Sequence, residues 1–278
     1  MSYKISYACV TNIGKIRDEN QDNFYINGEI ASSENESCAG ELTNEKNIVA
    51  VCDGMGGEAN GKEAAKIVAE KVREADETIQ NSEDFNLEEV AMNCIETANT
   101  AVCEMSHKTG AIGGSTVNIV YTNGSIVHAF NLGDSRTYLF RNGEFKPLSR
   151  DHTTVADLVR MGALTEEEAR KHPRRNQLNQ FVGVPAECFK LDPYDSKEVE
   201  LCKNDIILIC SDGLTEMCEN AEITEVLASG NELKEMVREL CDKALEKGGK
   251  DNITIILLLV QFLIGLSKNS DIICGEVN

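Results

Sequence analysis

Ile48-Val49-Ala50-Val51-Cys52-Asp53-Gly54 is echoed far down the chain by Ile206-Ile207-Leu208-Ile209-Cys210-Ser211-Asp212-Gly213. Each is an unbroken apolar run, short and rich in β-branched residues, so each predicts a buried strand rather than a helix. Each also puts an Asp-Gly at the strand's end. An aspartate there is held by the sheet and still faces solvent, so it offers a hard oxygen ligand in a fixed place. Asp134 and Asp251 stand at similar boundaries. A glycine after the aspartate lets the chain turn with its carbonyl exposed, which makes Gly54 a further oxygen donor. Ligands that are all oxygen favour Mg²⁺ or Mn²⁺ over zinc. Taken singly, each feature has a plainer reading. Asp-Gly is ordinary turn chemistry, Gly133-Asp134-Ser135-Arg136 suits a tight turn between strands, and Asp251-Asn252 suits a polar loop.

Working outward, Tyr3 to Thr11 and Asn23 to Asn27 read as extended. After Asp53-Gly54 the period changes: Ala64, Val68, Val72, Ala75 and Ile79 share one helical face. From an Asn-x-x-Glu start at Asn86, so do Leu87, Val90, Cys94, Ala98, Val102 and Met105. Thr116 to Thr122 and Ser125 to Leu132, joined by Asn123-Gly124, predict a hairpin with a two-residue turn. Thr137 to Arg141 and Phe145 to Leu148, joined at Asn142-Gly143, extend it into a meander. Residues 150–183 are polar and weakly periodic, with a helix start at Thr165-x-x-Glu168, and read as an excursion beside the core. Two helices follow the second apolar run (Asn220 to Ser229 and Asn231 to Lys247), stopped by Gly230 and Gly248. Ile253 onward closes the sheet. The run Ile253 to Leu266 is interrupted by Thr254 and Gln261 and falls short of the ~18 to 20 residues that span a bilayer.

The 278 residues, 41% of them hydrophobic, suit one globular domain, and the formal charge of −20 opposes attraction to nucleic acid or anionic lipid. No nucleic-acid or membrane partner is expected. Eleven cysteines are scattered singly, with no C-x-x-C or zinc spacing. Several, including Cys52 and Cys210, sit in apolar runs as small buried hydrophobes. Without a signal peptide, a reducing cytoplasm is the expected compartment.

Arg17-Asp18-Glu19-Asn20-Gln21-Asp22 is by default a solvated, charged turn. Its functional reading gives Arg17 a planar fork for phosphate and Asp22 a part in orienting metal-bound water. Asp53 to Gly57, opening a helix, could cradle phosphate, yet it lacks the Gly-Lys-Ser/Thr of a Walker loop. His107 and His128 read as structural or surface residues, while His152 and His172, in the excursion, could approach a substrate. Ser115 and Thr116 have no His/Asp arrangement nearby in sequence, which argues against a serine hydrolase.

In order along the chain, eight segments resemble the type 2C family of metal-dependent serine/threonine protein phosphatases, in its compact bacterial form. They are Gly14 to Asp22, Val51 to Gly57, Gly113 to Thr116, Asn131 to Tyr138, Leu148 to His152, His172 to Gly183, Ile209 to Leu214 and Gly248 to Thr254. The resemblance implies an α/β (α+β) four-layer sandwich, two central antiparallel sheets flanked by helices. One phosphatase domain is expected over residues 1–265, with a flap at about 150–183 and a C-terminal tail at 266–278. It implies two Mn²⁺ or Mg²⁺ ions: Asp53 bridging them, the Gly54 carbonyl on one, Asp212 and Asp251 completing the other, and Asp22 acting through water. Arg17 would bind the phosphoryl group, and Asp134, with Asp212 and Glu216, matches a weaker third site. The implied reaction is direct attack on phosphoserine or phosphothreonine by a hydroxide shared between the two metals.

The sequence departs from the wider family at Met55, where some members carry a proton-donating histidine, and at Gln21, where many carry Glu. The implied partners are phosphorylated proteins, among them a serine/threonine kinase and its targets, and a monomer is expected. A catalytically silent phosphoprotein-binding relative is the alternative; it would be signalled by loss of a metal aspartate or of the arginine, and all are present. A metal-dependent nuclease would suit the ligands but not the charge.

Overall fold

A computed structural model describes residues 3–57, 60–185 and 190–262. The two echoing runs are strands of different sheets. β1 (Tyr3–Asn12) and β2 (Asn23–Ile26) open the chain, followed by β3 (Glu29–Ile30), β4 (Asn35–Glu41), β5 (Asn47–Cys52) and the short β6 (Gly54–Gly56). Helices α1 (Asn60–Gln80) and α2 (Leu87–Thr109) precede β7 (Gly113–Ser115), β8 (Val117–Thr122), β9 (Ile126–Leu132), β10 (Arg136–Arg141) and β11 (Glu144–Pro147). The excursion carries α3 (Thr154–Arg160) and α4 (Glu166–Lys171). β12 (Tyr194–Asp195), β13 (Val199–Glu200), β14 (Ile206–Cys210), α5 (Asp212–Thr215), α6 (Asn220–Leu227), α7 (Leu233–Glu246) and β15 (Ile253–Phe262) complete the chain.

One antiparallel sheet runs β11-β10-β14-β15-β1-β4, and the other runs β12-β9-β8-β5-β2-β3 with β13 also on β9. Alternation along β5 and β14 shows why both runs are apolar throughout. Val49 and Val51, with Ile207 and Ile209, fill the core between the sheets. Ile48, Ala50 and Cys52 face α1 and α2, while Ile206, Leu208 and Cys210 face α6 and α7. Three cores thus separate four layers, as the resemblance implied, and a strand in the middle of either central layer, such as β5 or β14, has no polar face to spare.

The expected faces of the long helices hold: Ala64, Val68, Val72, Ala75 and Ile79 are buried on α1, and Cys94, Ala98 and Val102 on α2. Asn86 caps α2 by accepting from the Glu89 backbone N–H, and Thr165 and Glu168 form a capping box on α4. Among the described residues, no helix is long and apolar enough to cross a membrane. The expected tail at 266–278 lies outside the described residues.

Two expectations need correction. Asn123-Gly124 is not a two-residue turn. Thr122 pairs with Val127, only Gly124 of the two has positive φ, and Asn123 Oδ1 instead accepts from the N–H groups of Ser125 and Ile126. Asn142-Gly143 is such a turn, with both φ positive (51° and 85°) between the paired Arg141 and Glu144. Nor do β8 to β11 form one meander. At Gly133 to Ser135 the chain leaves one sheet for the other, since β9 and β10 belong to different sheets. The buried Asn118 of β8 ties that crossing down: its Nδ2 donates to the Ser135 carbonyl (3.0 Å) and its Oδ1 accepts from Thr137 Oγ1 (2.9 Å).

Leu208 is fully buried between its sheet and α7. Leu208→Ala is expected to lower unfolding stability by roughly 2 to 5 kcal/mol, read from the urea midpoint at constant slope. A midpoint like the parent's would contradict this packing.

Candidate active site

The two sheets bring their acidic strand ends together at one end of the sandwich. Asp53 leaves β5 pinned on both sides: its N–H donates to Thr116 Oγ1 (3.0 Å), and its carbonyl accepts from the Thr116 N–H (2.8 Å). Thr116 Oγ1 shares a hydrogen bond with Ser135 Oγ (2.7 Å), which couples Asp53 to the crossing that carries Asp134. Asp212 opens α5, one residue after Ser211, whose backbone N–H donates to the Thr254 carbonyl (3.0 Å) and whose Oγ accepts from the Thr254 N–H (3.0 Å). Ser211 Oγ–H in turn donates to Asp22 Oδ2 (2.7 Å). This one serine therefore joins β14, β15 and the loop before β2.

Loop 13–22 is held by asparagines. Asn20 Nδ2 donates to Thr11 Oγ1 (2.8 Å) and its Oδ1 accepts from the Asp22 N–H (3.0 Å). Asn252 Oδ1 accepts from the Gln21 N–H (2.8 Å), and its Nδ2 donates to the carbonyls of Ile13 and Glu19. Arg17 Nη2 reaches Asp251 Oδ2 at 2.6 Å. Close backbone approaches fix two glycines here. A β-carbon at Gly54 would lie 2.2 Å from the Gly61 carbonyl oxygen, and one at Gly213 would lie 2.0 Å from that of Asn252.

Burial raises the carboxyls of Asp22, Asp53, Asp134 and Asp212, and neighbouring acidic charge adds to the rise. Burial, reinforced by Asp22, Asp212, Asp134 and Asp251, pushes the Asp53 carboxyl well above the usual carboxylate range. Asp212 is raised in the same way by burial, Asp134, Asp251, Glu216 and Asp22. Burial lifts Asp22 from 3.8 to about 7 against the opposing hydrogen bonds from Ser211 and Thr254, with Asp251 adding to the rise. Asp134 is likewise raised to about 7, by burial and then by Asp151, with Arg136 opposing.

Two buried carboxylate oxygens, Asp22 Oδ1 and Asp212 Oδ1, have no hydrogen-bond partner. Orphaned acceptors in an acidic, buried cluster suit hard divalent cations, which both satisfy the lone pairs and offset the charge. Among the described residues, no three His, Cys, Asp or Glu side chains are already gathered into a cation cage.

The structure thus brings Arg17, Asp22, Asp53, Gly54, Asp134, Asp212 and Asp251 to one region. Glu216 joins from α5's end, and Arg175 of the excursion stands 3.5 Å from it. His152 corrects an expectation. It is buried (3% exposed), with Nδ1 accepting from the Gly133 N–H at 3.2 Å, so it braces the turn before Asp134 and cannot approach a substrate. His128 is structural as read, bonded to Asp195 at 2.6 Å and stacked on Phe130. Reading the sequence missed Asn20, Ser211, Asn252 and Thr254 as positioning residues. The signal available was a polar residue beside each acidic one at the end of an apolar run.

A family model described as protein phosphatase 2C matches residues 33–257. The serine/threonine phosphatase stp of Listeria innocua is 32% identical over 252 residues, spanning 89% of this chain and 93% of its own. The solved serine/threonine phosphatase of S. agalactiae superposes with a TM-score of 0.77 at 29% identity, covering 92% of this chain and 100% of that one. The catalytic domain of the serine/threonine phosphatase PstP, solved with two manganese ions, gives 0.76 at 25% identity, covering 94% and 100%. The family match begins after Arg17 and Asp22, which are placed at the site by the Arg17–Asp251 and Ser211–Asp22 hydrogen bonds.

The raised carboxyls fix a pH dependence for protein held in chelator. Where folded pKa values exceed unfolded ones, the folded state binds more protons, and stability falls as pH rises. For Asp22 and Asp134 that window runs from 3.8 to about 7. The melting temperature in chelator is expected to fall across it and to recover with Mn²⁺ near neutral pH. A melting temperature that rose through this window in chelator would refute the mutual burial of these carboxyls.

Proposed function

The chain belongs to the protein phosphatase 2C family, and on that premise we propose that it is a serine/threonine phosphatase that uses two divalent cations, Mn²⁺ or Mg²⁺, to hydrolyse phosphoserine and phosphothreonine in proteins. The observation that carries this reading is the convergence of buried carboxylates from both sheets with two oxygens left unpartnered. Asp53, the Gly54 carbonyl, Asp212 and Asp251 would hold the pair, with Asp22 acting through water; Asp134, Asp212 and Glu216 would hold a weaker third ion. When bound, such cations supply Lewis acidity that activates water and offsets charge on the phosphoryl oxygens.

The chain's own residues do the rest. Arg17, on a loop fixed by Asn20 and Asn252, directs a guanidinium fork toward the site; its five donors let it grip phosphoryl oxygens as its hold on Asp251 is exchanged. Ser211 holds Asp22 in one rotamer through a 2.7 Å bond, so its other oxygen stays directed into the cluster. Met55 lies on β6, directly after Gly54, and its thioether has no proton to give, so the leaving alkoxide takes its proton from water. The excursion 150–183 is a flap over this end of the sandwich, closed on itself by the Thr153–Leu178 bridge and attached through the Ser115–Val182 bridge and the Arg175–Glu216 pair. The partners on this reading are phosphorylated proteins, including a serine/threonine kinase and its targets.

With Mn²⁺ and a phosphothreonine peptide, Asp53→Asn and Asp212→Asn, each checked for folding, are expected to lose at least ~10³-fold in kcat. Arg17→Ala is expected to lose about 10²-fold in kcat/KM, since a charge-assisted bidentate contact is removed. Full activity in either aspartate variant would exclude the metal-assisted mechanism.

A further inference from the structure

Cys9 and Cys38 stand directly opposite each other on β1 and β4. Directly paired residues of antiparallel strands have Cα atoms ~4.5 to 5.5 Å apart, within the ~4.4 to 6.8 Å that a disulfide spans. Both side chains lie on the sheet face that meets the core between the sheets, Cys9 fully buried within it and Cys38 half-buried at its margin. β4 is the edge strand, so Cys38 is the member solvent can reach. Both thiols are free and face each other across the strand pair. The neighbouring Cys9 lowers the Cys38 thiol, against burial and the nearby Glu36 and Glu29. Burial, with Cys38 adding to it, pushes Cys9 up. The pair is therefore asymmetric, one accessible sulfur at the sheet edge beside one shielded by the core.

We propose that Cys9 and Cys38 form a reversible dithiol–disulfide pair on the edge of the sheet, in which Cys38 reacts with a hydroperoxide and Cys9 resolves the product. The Cys38 thiolate attacks the peroxide, the O–O bond breaks, and the sulfur is oxidised to a sulfenic acid as water or an alcohol leaves. The Cys9 sulfur then attacks the Cys38 sulfur, the S–O bond breaks, and water departs with the Cys9 proton as the S–S bond forms. A dithiol reductant reverses the bridge by exchange and is itself oxidised.

The consequence falls on the active-site loop. Next to the start of β4, Asn35 Oδ1 accepts from the Ile13 N–H (3.1 Å) and the Glu34 carbonyl accepts from Asn20 Nδ2 (3.0 Å), so this end of β4 holds the loop that bears Arg17. A bridge between residues 9 and 38 encircles that loop and restrains it.

The test is independent of the phosphatase reading, because it reads mass and exchange. Full-length protein treated with hydrogen peroxide, then alkylated under denaturing conditions and digested, is expected to yield a Cys9–Cys38 cross-linked peptide that dithiothreitol abolishes. In Cys9→Ser protein, dimedone is expected to capture Cys38 as its sulfenic acid. Amides of residues 13–20 are expected to exchange more slowly in oxidised than in reduced protein, a difference that Cys38→Ser, on the tolerant edge strand, removes. Recovery of Cys9 fully alkylated while Cys38 is over-oxidised, or of both alkylated after other cysteines have reacted, overturns the proposal. A bridge that forms without slowing exchange overturns its coupling to the loop.

Discussion

Five aspartates are forced into one region, Asp22 and Asp134 buried and Asp53, Asp212 and Asp251 part-buried, and much of the surrounding structure holds them there. Burial multiplies their mutual repulsion, because Asp22, Asp53, Asp134 and Asp212 lose water without a basic side chain bonded to them; among the described residues Arg17, on Asp251, is the one such partner within the cluster. The cluster therefore costs folding free energy, which the three apolar cores must outweigh. On the proposed reading, bound cations would relieve the repulsion and satisfy the orphaned oxygens of Asp22 and Asp212 together.

The restraint is polar as well as apolar. Thr116, Ser135, Asn118 and Thr137 form a buried hydrogen-bonded chain that bridges from one sheet to the other, and Thr11, Thr254, Ser211 and Asn20 form a second. Each chain ends on an acidic residue or on the backbone that carries one. Every hydroxyl or amide so used has its partner, so these groups add rigidity without the cost of an unsatisfied polar atom. The asymmetry with Asp22 Oδ1 and Asp212 Oδ1 is informative, since the structure satisfies the neighbours and leaves those two open.

Local signals proved legible where one physical cause sets the outcome. The apolar runs of β5 and β14, the stripes on α1 and α2, the caps at Asn86 and Thr165 and the Asn142-Gly143 turn all form as read. The failures came where a local signal had two outcomes. Asn123-Gly124 uses its asparagine side chain to bond the following backbone, so the same dipeptide makes a longer connection. β4, with its mixed polar and glycine pattern, carries no period to read and is strand only because β1 offers it an open edge.

What the sequence by itself determined was the strands, the helices and the identity of the acidic residues at strand ends, because alternation, helical period and turn chemistry act over a few residues. Its family likeness also implied that Arg17, Asp22, Asp53, Asp134, Asp212 and Asp251 share a site. Only the tertiary structure decided that β9 and β10 part into different sheets, that His152 turns inward to brace Gly133, that Ser211 and Asn252 join segments more than 180 residues apart, and that Cys9 meets Cys38. Those outcomes depend on which groups are left to satisfy once the layers stack, and buried donors and acceptors find partners across space, whatever their separation along the chain.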